Sequence, residues 1–410
     1  MSLLRGNAIV GQSGGPTAAI NATLSGVIKG AFSNDSIDKL YGMINGIEGF
    51  LEKNIIDLSY LFGDEKSLNA LELTPASALG SCRKKLPKME EDESLYKNIF
   101  EIFKEYDIRY FFYIGGNDSM DTVVKLSRYS KTVDYEIRII GVPKTIDNDL
   151  PMIDHAPGYG SSAKYIATTV KEIAADCAVY KVNAVTIVEL MGRDAGWLTC
   201  AAALPKYYYG LGADLIYLPE KPFCDDKFIA DVQNELKKHP NVVVAVSEGI
   251  KYANGRYVGE GKQSGAVDVF GHKYLAGTAK MLEALVKEKI GCKVRSIELN
   301  LPQRCASHLV SKTDIDESVS IGIHAVRIAV DGESGKMASI KRIEDTEYKT
   351  ELCCVDIEEV ANEVKAVPNA YINEEGNGVT EECIKYISPL IIGEKRIEYE
   401  NGMPVHIRLK

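Results

Sequence analysis

Residues 137–150 read IRIIGVPKTIDNDL. The first six, Ile137-Arg138-Ile139-Ile140-Gly141-Val142, form the short apolar run of a buried strand. Just past its end the chain crowds together Lys144, Thr145, Asp147, Asn148 and Asp149. Ionisable groups at the end of a core strand point to an open α/β sheet, where ligands bind outside the carboxyl ends of the strands.

The same pattern recurs outward from this stretch. Asn7-Ala8-Ile9-Val10 runs into GQSGGPTAAIN, and Tyr110-Phe111-Phe112-Tyr113-Ile114 runs into GGNDS. Residues 184–190 (AVTIVEL) end in MGRDAGW, and 242–246 (VVVAV) end in SEG. Short apolar runs alternating with helical patterns predict parallel sheets with crossover helices. The expected fold class is α/β, with two Rossmann-like doubly wound domains facing a cleft. Within GYGSSAKYIATTVKEIAADC, Ile166, Val170, Ile173 and Cys177 share one helical face, with Ser161 or Ser162 as the N-cap. Near the C-terminus, Arg396 to Ile407 predicts a hairpin around a type I′ turn at Asn401-Gly402. The six glycines between 251 and 277 predict a long loop or hairpin excursion.

A chain of 410 residues has room for roughly two to three domains. Its 45% hydrophobic and 26% charged residues are those of an ordinary globular protein. A net charge of −10 argues against a general nucleic-acid or anionic-membrane footprint, while leaving room for a local basic pocket. No stretch approaches the ~20 apolar residues of a membrane span, and MSLLRGNAIVGQ is too soon interrupted for a secretion signal. The nine cysteines contain no CxxC pair, and adjacent Cys353-Cys354 suits neither a disulfide nor a metal site. Reduced thiols in a cytoplasm are expected. The six histidines form no HExxH or HxH group, so no zinc centre is expected.

Gly14-Gly15 and Gly115-Gly116 would let backbone N–H groups approach phosphate oxygens with no Cβ in the way. GQSGGPT is neither GxxxxGK[ST] nor GxGxxG, so the common nucleotide fingerprints fail. If the chain stays extended after Pro143, Thr145, Asp147 and Asp149 share one face. One carboxylate could then accept a proton while another helps hold Mg²⁺. On this segment alone, a loop in which Asp and Asn cap local turns stands as the alternative. Asp118, in GGNDS, adds weight to the first reading.

Taken in order, GGxxS, PKTIDND, MGRxxG and QR resemble the phosphofructokinases, over Gly14 to Arg304, about seven-tenths of the chain. ATP-using members have glycine at the positions of Asp118 and Lys144, so this pair resembles the pyrophosphate-dependent branch. An aspartate where an α-phosphate would lie adds bulk and like charge against nucleotide, and a lysine offers a point charge to a short donor. The resemblance implies transfer from pyrophosphate to fructose 6-phosphate, with Mg²⁺, in a homodimer or homotetramer whose active sites are shared between protomers. It implies a donor-binding domain over 1–150, completed by part of 305–410, and a sugar-phosphate domain over 151–304.

By matching position, Asp147 would be the base for the sugar 1-hydroxyl and Asp149 would assist it or the metal. Phosphoryl transfer depends chiefly on positioning and charge neutralisation, so a carboxylate of ordinary basicity suffices for the base. Arg193 would neutralise the transferring group, Met191 and Gly192 would shape the sugar pocket beside Thr145, and Glu248 would bind sugar hydroxyls. Arg295 and Arg304 would grip the 6-phosphate. Gly15, Gly116, Asp118, Lys144 and Arg83 would meet the donor, with Lys84 and Lys85 adding to that field. Asn117, standing where the family has a metal-binding aspartate, would join Asp118 and Asp149 around Mg²⁺. Two further departures are Leu301, in place of a histidine, and Ala184, in place of an arginine given by a neighbouring subunit. Lys181 is a candidate substitute for that arginine.

Overall fold

The computed structural model describes residues 4–262, 277–344 and 347–409. Five strands called from apolar runs are present: β1 (Gly6–Gln12), β4 (Ile108–Gly115), β5 (Arg138–Pro143), β6 (Ala184–Leu190) and β8 (Asn241–Ser247). Around them lie β2 (Ile37–Met43), β3 (Ile55–Asp57), β7 (Leu215–Tyr217), β9 (Lys293–Glu298), β10 (Lys336–Glu344) and β11 (Lys349–Asp356). A seven-stranded sheet has the order β11-β10-β5-β4-β1-β2-β3, and a four-stranded sheet the order β7-β8-β6-β9. The second is wholly parallel; the first is parallel except at its two edge strands. In the first sheet β1 pairs with β2 on one side and β4 on the other. Their carboxyl ends therefore open a crevice at a topological switch point, where both glycine pairs sit.

The chain returns to the first sheet after building the second. Helix Lys312–Val330 lies across helix Ile20–Phe32, with Gly26 and Gly322 at the crossing. A Cβ on Gly26 would stand 2.1 Å from the Val319 carbonyl oxygen, so the backbones touch where only glycine fits. β10 then joins β5, and β11 closes that edge. The tail also packs on the other half: Val367, Ile372, Cys383, Ile384, Tyr386 and Leu390 share a core with Trp197 and Leu198. The tail thus belongs to both halves, and its hairpin, β12 (Tyr399–Glu400) and β13 (Met403–Pro404), turns at Asn401 and Gly402 with φ of 50° and 78°.

Two local expectations change. The long helix runs Tyr159–Ala178 and begins after Gly158 at φ 102°, so Ser161 and Ser162 lie inside its first turn. Its free N–H groups are met by Asp314, whose carboxylate accepts from Gly158 and Ser161 at 2.8 and 3.0 Å. A cap supplied by another helix is invisible to local sequence. In the glycine-rich 251–277 stretch, a tight turn at Asn254-Gly255 pairs Lys251 with Tyr257; residues 263–276 lie outside the described residues.

Beyond the 144–150 turn His155 is buried between two acids, Nδ1 at 2.8 Å from Asp154 and Nε2 at 2.7 Å from Glu317. Arg342 also binds Asp154, and Tyr348 and Thr350 donate to Glu317. Burial pulls the imidazole pKa down, but Glu317 and Asp154 outweigh it and lift it to about 9, above the ordinary 6.5. A raised folded-state value stabilises fully below pH 6.5, and that contribution is lost as pH rises through 9. The melting temperature is expected to fall between pH 6.5 and about 9, and His155→Gln to flatten that slope. Equal slopes in thermal unfolding of the two proteins would refute this.

Candidate active site

The 144–150 segment leaves β5 pinned on both sides. The Lys144 N–H donates to the Gly115 carbonyl at 2.9 Å, and the Thr145 N–H to Pro157 at 3.2 Å. The chain then departs from the extended course expected after Pro143. Asn148 adopts φ 54°, and the Asp147 N–H donates to Thr145 Oγ1 at 3.1 Å. The turn, rather than strand alternation, brings the half-buried Asp147 and Asp149 carboxylates side by side, where the Thr145 hydroxyl bonds Asp149. Asn148 points away and holds the loop, donating to Tyr386 Oη at 2.9 Å and accepting from the Ala156 N–H at 2.9 Å.

Burial, then the neighbouring Asp149, pushes Asp147 up to about 7 against the pull of Lys144 and Arg193. Burial likewise raises Asp149. Asp147 is therefore more basic than the ordinary carboxylate expected of it, because desolvation and a neighbouring like charge both favour its protonated form.

On the donor side, the N–H of Gly14 (φ 77°) donates to the Cys82 carbonyl at 3.1 Å. Lys144 is only 3% exposed and its Nζ donates to the Gly15 carbonyl at 2.6 Å. Burial lowers its pKa to about 8, with Arg304 and Arg83 adding to the effect and Asp147 and Asp149 opposing it. Arg83 and Arg304 thus belong to one cationic field with Lys144. Arg304 Nη1 stands 3.0 Å from where a Cβ on Gly15 would be. Arg304, expected to grip the 6-phosphate, thus stands beside the Gly15 turn and Lys144.

Gly116 ends the β4 turn and helix Asn117–Ser130 follows, with Asp118 in its first turn. Asp118 pairs with Lys85 at 2.9 Å, so the lysine run does reach this site. Asn117, expected beside Mg²⁺, has both ends of its amide hydrogen-bonded within the protein. Its amide oxygen accepts from the Asn362 N–H and its amide N–H donates to the Glu363 carbonyl. Both ends of the side chain fasten a tail segment that sequence gave no reason to place there.

On the acceptor side, residues 191–193 follow β6 and meet residue 248 after β8. The Met191 N–H donates to Gln303 Oε1 and the Gly192 N–H to Glu248 Oε1, each at 3.2 Å. Gly192 has φ 122°, and a Cβ there would lie 2.6 Å from the Ala195 carbonyl oxygen. Arg193 bonds Asp194 at 3.1 Å and acts electrostatically on both Asp147 and Glu248. Burial and Asp147 raise Glu248 to about 7.

Arg295 does not join this cleft. It pairs with Thr186 on β6, four residues before Leu190 and so about 13 Å short of the strand's carboxyl end. There it lines a surface depression with Lys293, Tyr180 and Ala184. Lys181 is exposed at the same end and cannot serve its own chain's cleft. Sequence reasoning missed Gln303, Ser247, Asp194 and Lys365. Ser247 Oγ donates to the Gly192 carbonyl, Asp194 holds Arg193, and the Lys365 N–H donates to Asp149 O at 2.7 Å. Gln303 and Asp194 lay inside the motifs QR and MGRDAG; Lys365 carried no local signal.

Desolvation, with Asp149 acting also on Asp147, lifts both carboxylates above their ordinary range, and a bound divalent cation would offset that cost. Asp149 therefore fits Mg²⁺ better than Asn117, whose amide is tied to the tail, or the lysine-paired Asp118. Asp214, Glu235 and His239 also bring ligand atoms within 4.8 Å of one another. They sit at the amino-terminal end of β7, away from the cleft, and Lys206 already neutralises Asp214 at 2.6 Å. Among the described residues, no helix is long and apolar enough to cross a membrane.

The profile described as phosphofructokinase matches residues 7–329. The chain is 42% identical to the pyrophosphate–fructose 6-phosphate 1-phosphotransferase of Halomonas elongata, over 97% of this chain and 94% of that one. It is 40% identical to the protein of the same name from Methylococcus capsulatus, over 98% and 96%. The crystal structure of pyrophosphate-dependent phosphofructokinase from Nitrosospira multiformis superposes with a TM-score of 0.89 at 38% identity, covering 99% of this chain and 97% of that one. With the matching motifs gathered in one cleft, the chain belongs to the phosphofructokinase family.

Proposed function

We propose that this chain is a pyrophosphate–fructose 6-phosphate 1-phosphotransferase. It moves a phosphoryl group from pyrophosphate to the sugar 1-hydroxyl, giving fructose 1,6-bisphosphate and phosphate, reversibly. The reading rests chiefly on Lys144, whose buried ammonium sits on the Gly15 carbonyl beside Asp147. A cation at that depth serves a short donor whose leaving phosphate must be held close to the chemistry.

Asp147 takes the proton of the 1-hydroxyl as its oxygen attacks the donor phosphorus. The bond to the bridging oxygen breaks, and the electron pair leaves with phosphate. Lys144 and Arg304, with Arg83 beside them, offset the charge on the donor, and Arg193 does so at the transferring group. Glu248, Met191, Gly192 and Thr145 position the sugar. Asp149 would hold Mg²⁺, which when bound neutralises donor oxygens. Arg295 and Lys293 suit a site completed by a second protomer, so we assign a homo-oligomer with shared sites. All nine cysteines are free, which suits a cytoplasmic location.

Fructose 6-phosphate supplied with pyrophosphate or with ATP tests the donor. Turnover is expected with pyrophosphate and little with ATP; robust turnover with ATP alone would overturn the assignment in favour of an ATP-dependent 6-phosphofructokinase. Asp147 and Arg193, together in the cleft, oppose a non-catalytic regulatory role.

A further inference from the structure

Residues 362–367 cross behind the catalytic turn and tie it to both sides of the cleft. At one end the Asn362 N–H and the Glu363 carbonyl hold the two ends of the Asn117 amide, at the start of the donor-side helix. In the middle, the Lys365 N–H donates to Asp149 O at 2.7 Å. Its side chain then enters the turn from below. Nζ donates to the carbonyls of Asp154 and Ile153 at 2.8 and 3.1 Å, and to Asn148 Oδ1 at 3.3 Å. On the acceptor side, the Lys365 carbonyl accepts the Trp197 indole N–H at 2.8 Å, and Nζ lies 5.3 Å from the centre of that ring.

These acceptors are two backbone carbonyls and one amide oxygen. The carboxylates of Asp154 and Asp149 act on this ammonium through charge while its hydrogen-bond acceptors are neutral. Its desolvation exceeds that of an apolar side chain of similar size, so packing alone does not call for a lysine here. Each acceptor belongs to the segment 148–154, which carries the loop away from Asp147 and Asp149. Three donors on one terminus, reaching three points of one loop, fix its shape against the floor of the site. The backbone bond to Asp149 fixes the carboxylate's own residue.

Building on the phosphotransferase reading, we propose that Lys365 is a positioning residue. It acts through Asn148 and the backbone of 149–154 to hold Asp147 and Asp149 in register with the donor. It touches neither substrate. Its contribution therefore appears in the rate of the chemical step rather than in the binding of either substrate.

Lys365→Met keeps the length of the side chain and removes both charge and donors. With pyrophosphate and fructose 6-phosphate, kcat is expected to fall about tenfold, as when a supporting hydrogen bond behind a reactive group is lost. Both Michaelis constants should stay within about twofold. Lys365→Arg, which keeps the cation and its donors, should recover most of the rate. An unchanged kcat, a loss confined to either Michaelis constant, or an arginine variant as slow as the methionine one would each overturn the proposal. Should Lys365→Met not fold, Lys365→Gln is judged by the same criteria. If the unsubstituted chain used ATP instead of pyrophosphate, the donor reading would fail, while the same comparison run with ATP would still decide the role of Lys365.

Discussion

Asp147→Asn is expected to lower kcat for transfer from pyrophosphate by roughly 10²–10⁴-fold, with the Michaelis constant for fructose 6-phosphate little changed. The amide keeps the shape of the carboxylate and cannot take the hydroxyl proton. The surrounding geometry survives, because the turn is held by the Thr145 hydroxyl, Asn148 and Lys365 rather than by the Asp147 side chain. Burial and Asp149 lift Asp147 to about 7, and a base works only when ionised. The rate should therefore decline as pH falls through 7 in the unsubstituted enzyme, and Asp147→Asn should lose that limb. Steady-state kinetics across pH measures both; a variant within about threefold of normal would remove Asp147 from the base role.

Lys144→Gly is expected to cut kcat/KM for pyrophosphate by roughly 10²–10³-fold, the scale seen when one preorganised donor to a developing oxyanion is removed. The ammonium is buried at the Gly15 carbonyl, between the glycine turn and the carboxylates. A charge in that dry position acts strongly on a phosphate oxygen. Its hydrogen bond is to the Gly15 turn on the donor side, so the Michaelis constant for the sugar should move far less. A constant for pyrophosphate that did not rise would contradict the donor assignment. The glycine also frees the backbone at 144, so Lys144→Met serves as the control that removes charge alone.

The strands at the core of each sheet were legible because their chemistry is local. β1, β4, β5, β6 and β8 are apolar runs that end where glycine or charge begins, which is how a strand buried on both faces must read. Their motifs also named Asp147, Lys144, Arg193 and Glu248, which the fold gathers at adjoining strand ends. Asn117 and Arg304 fared differently. Their side-chain directions depend on what packs beside them, a tail segment some 245 residues away for Asn117 and the Gly15 turn for Arg304.

By itself the sequence determined the α/β class, the strand ends that carry the chemistry, and the family. Only the tertiary structure decided how those groups bear on one another. The Asn148 turn brings two half-buried carboxylates together, so that desolvation and Asp149 raise Asp147 to about 7. The returning tail places Lys365 beneath that turn and Asn117 against the tail itself. Strand number fixes Arg295 four residues short of the cleft on its own chain. Burial and charge proximity are properties of packing between distant segments, and no run of neighbouring residues encodes them.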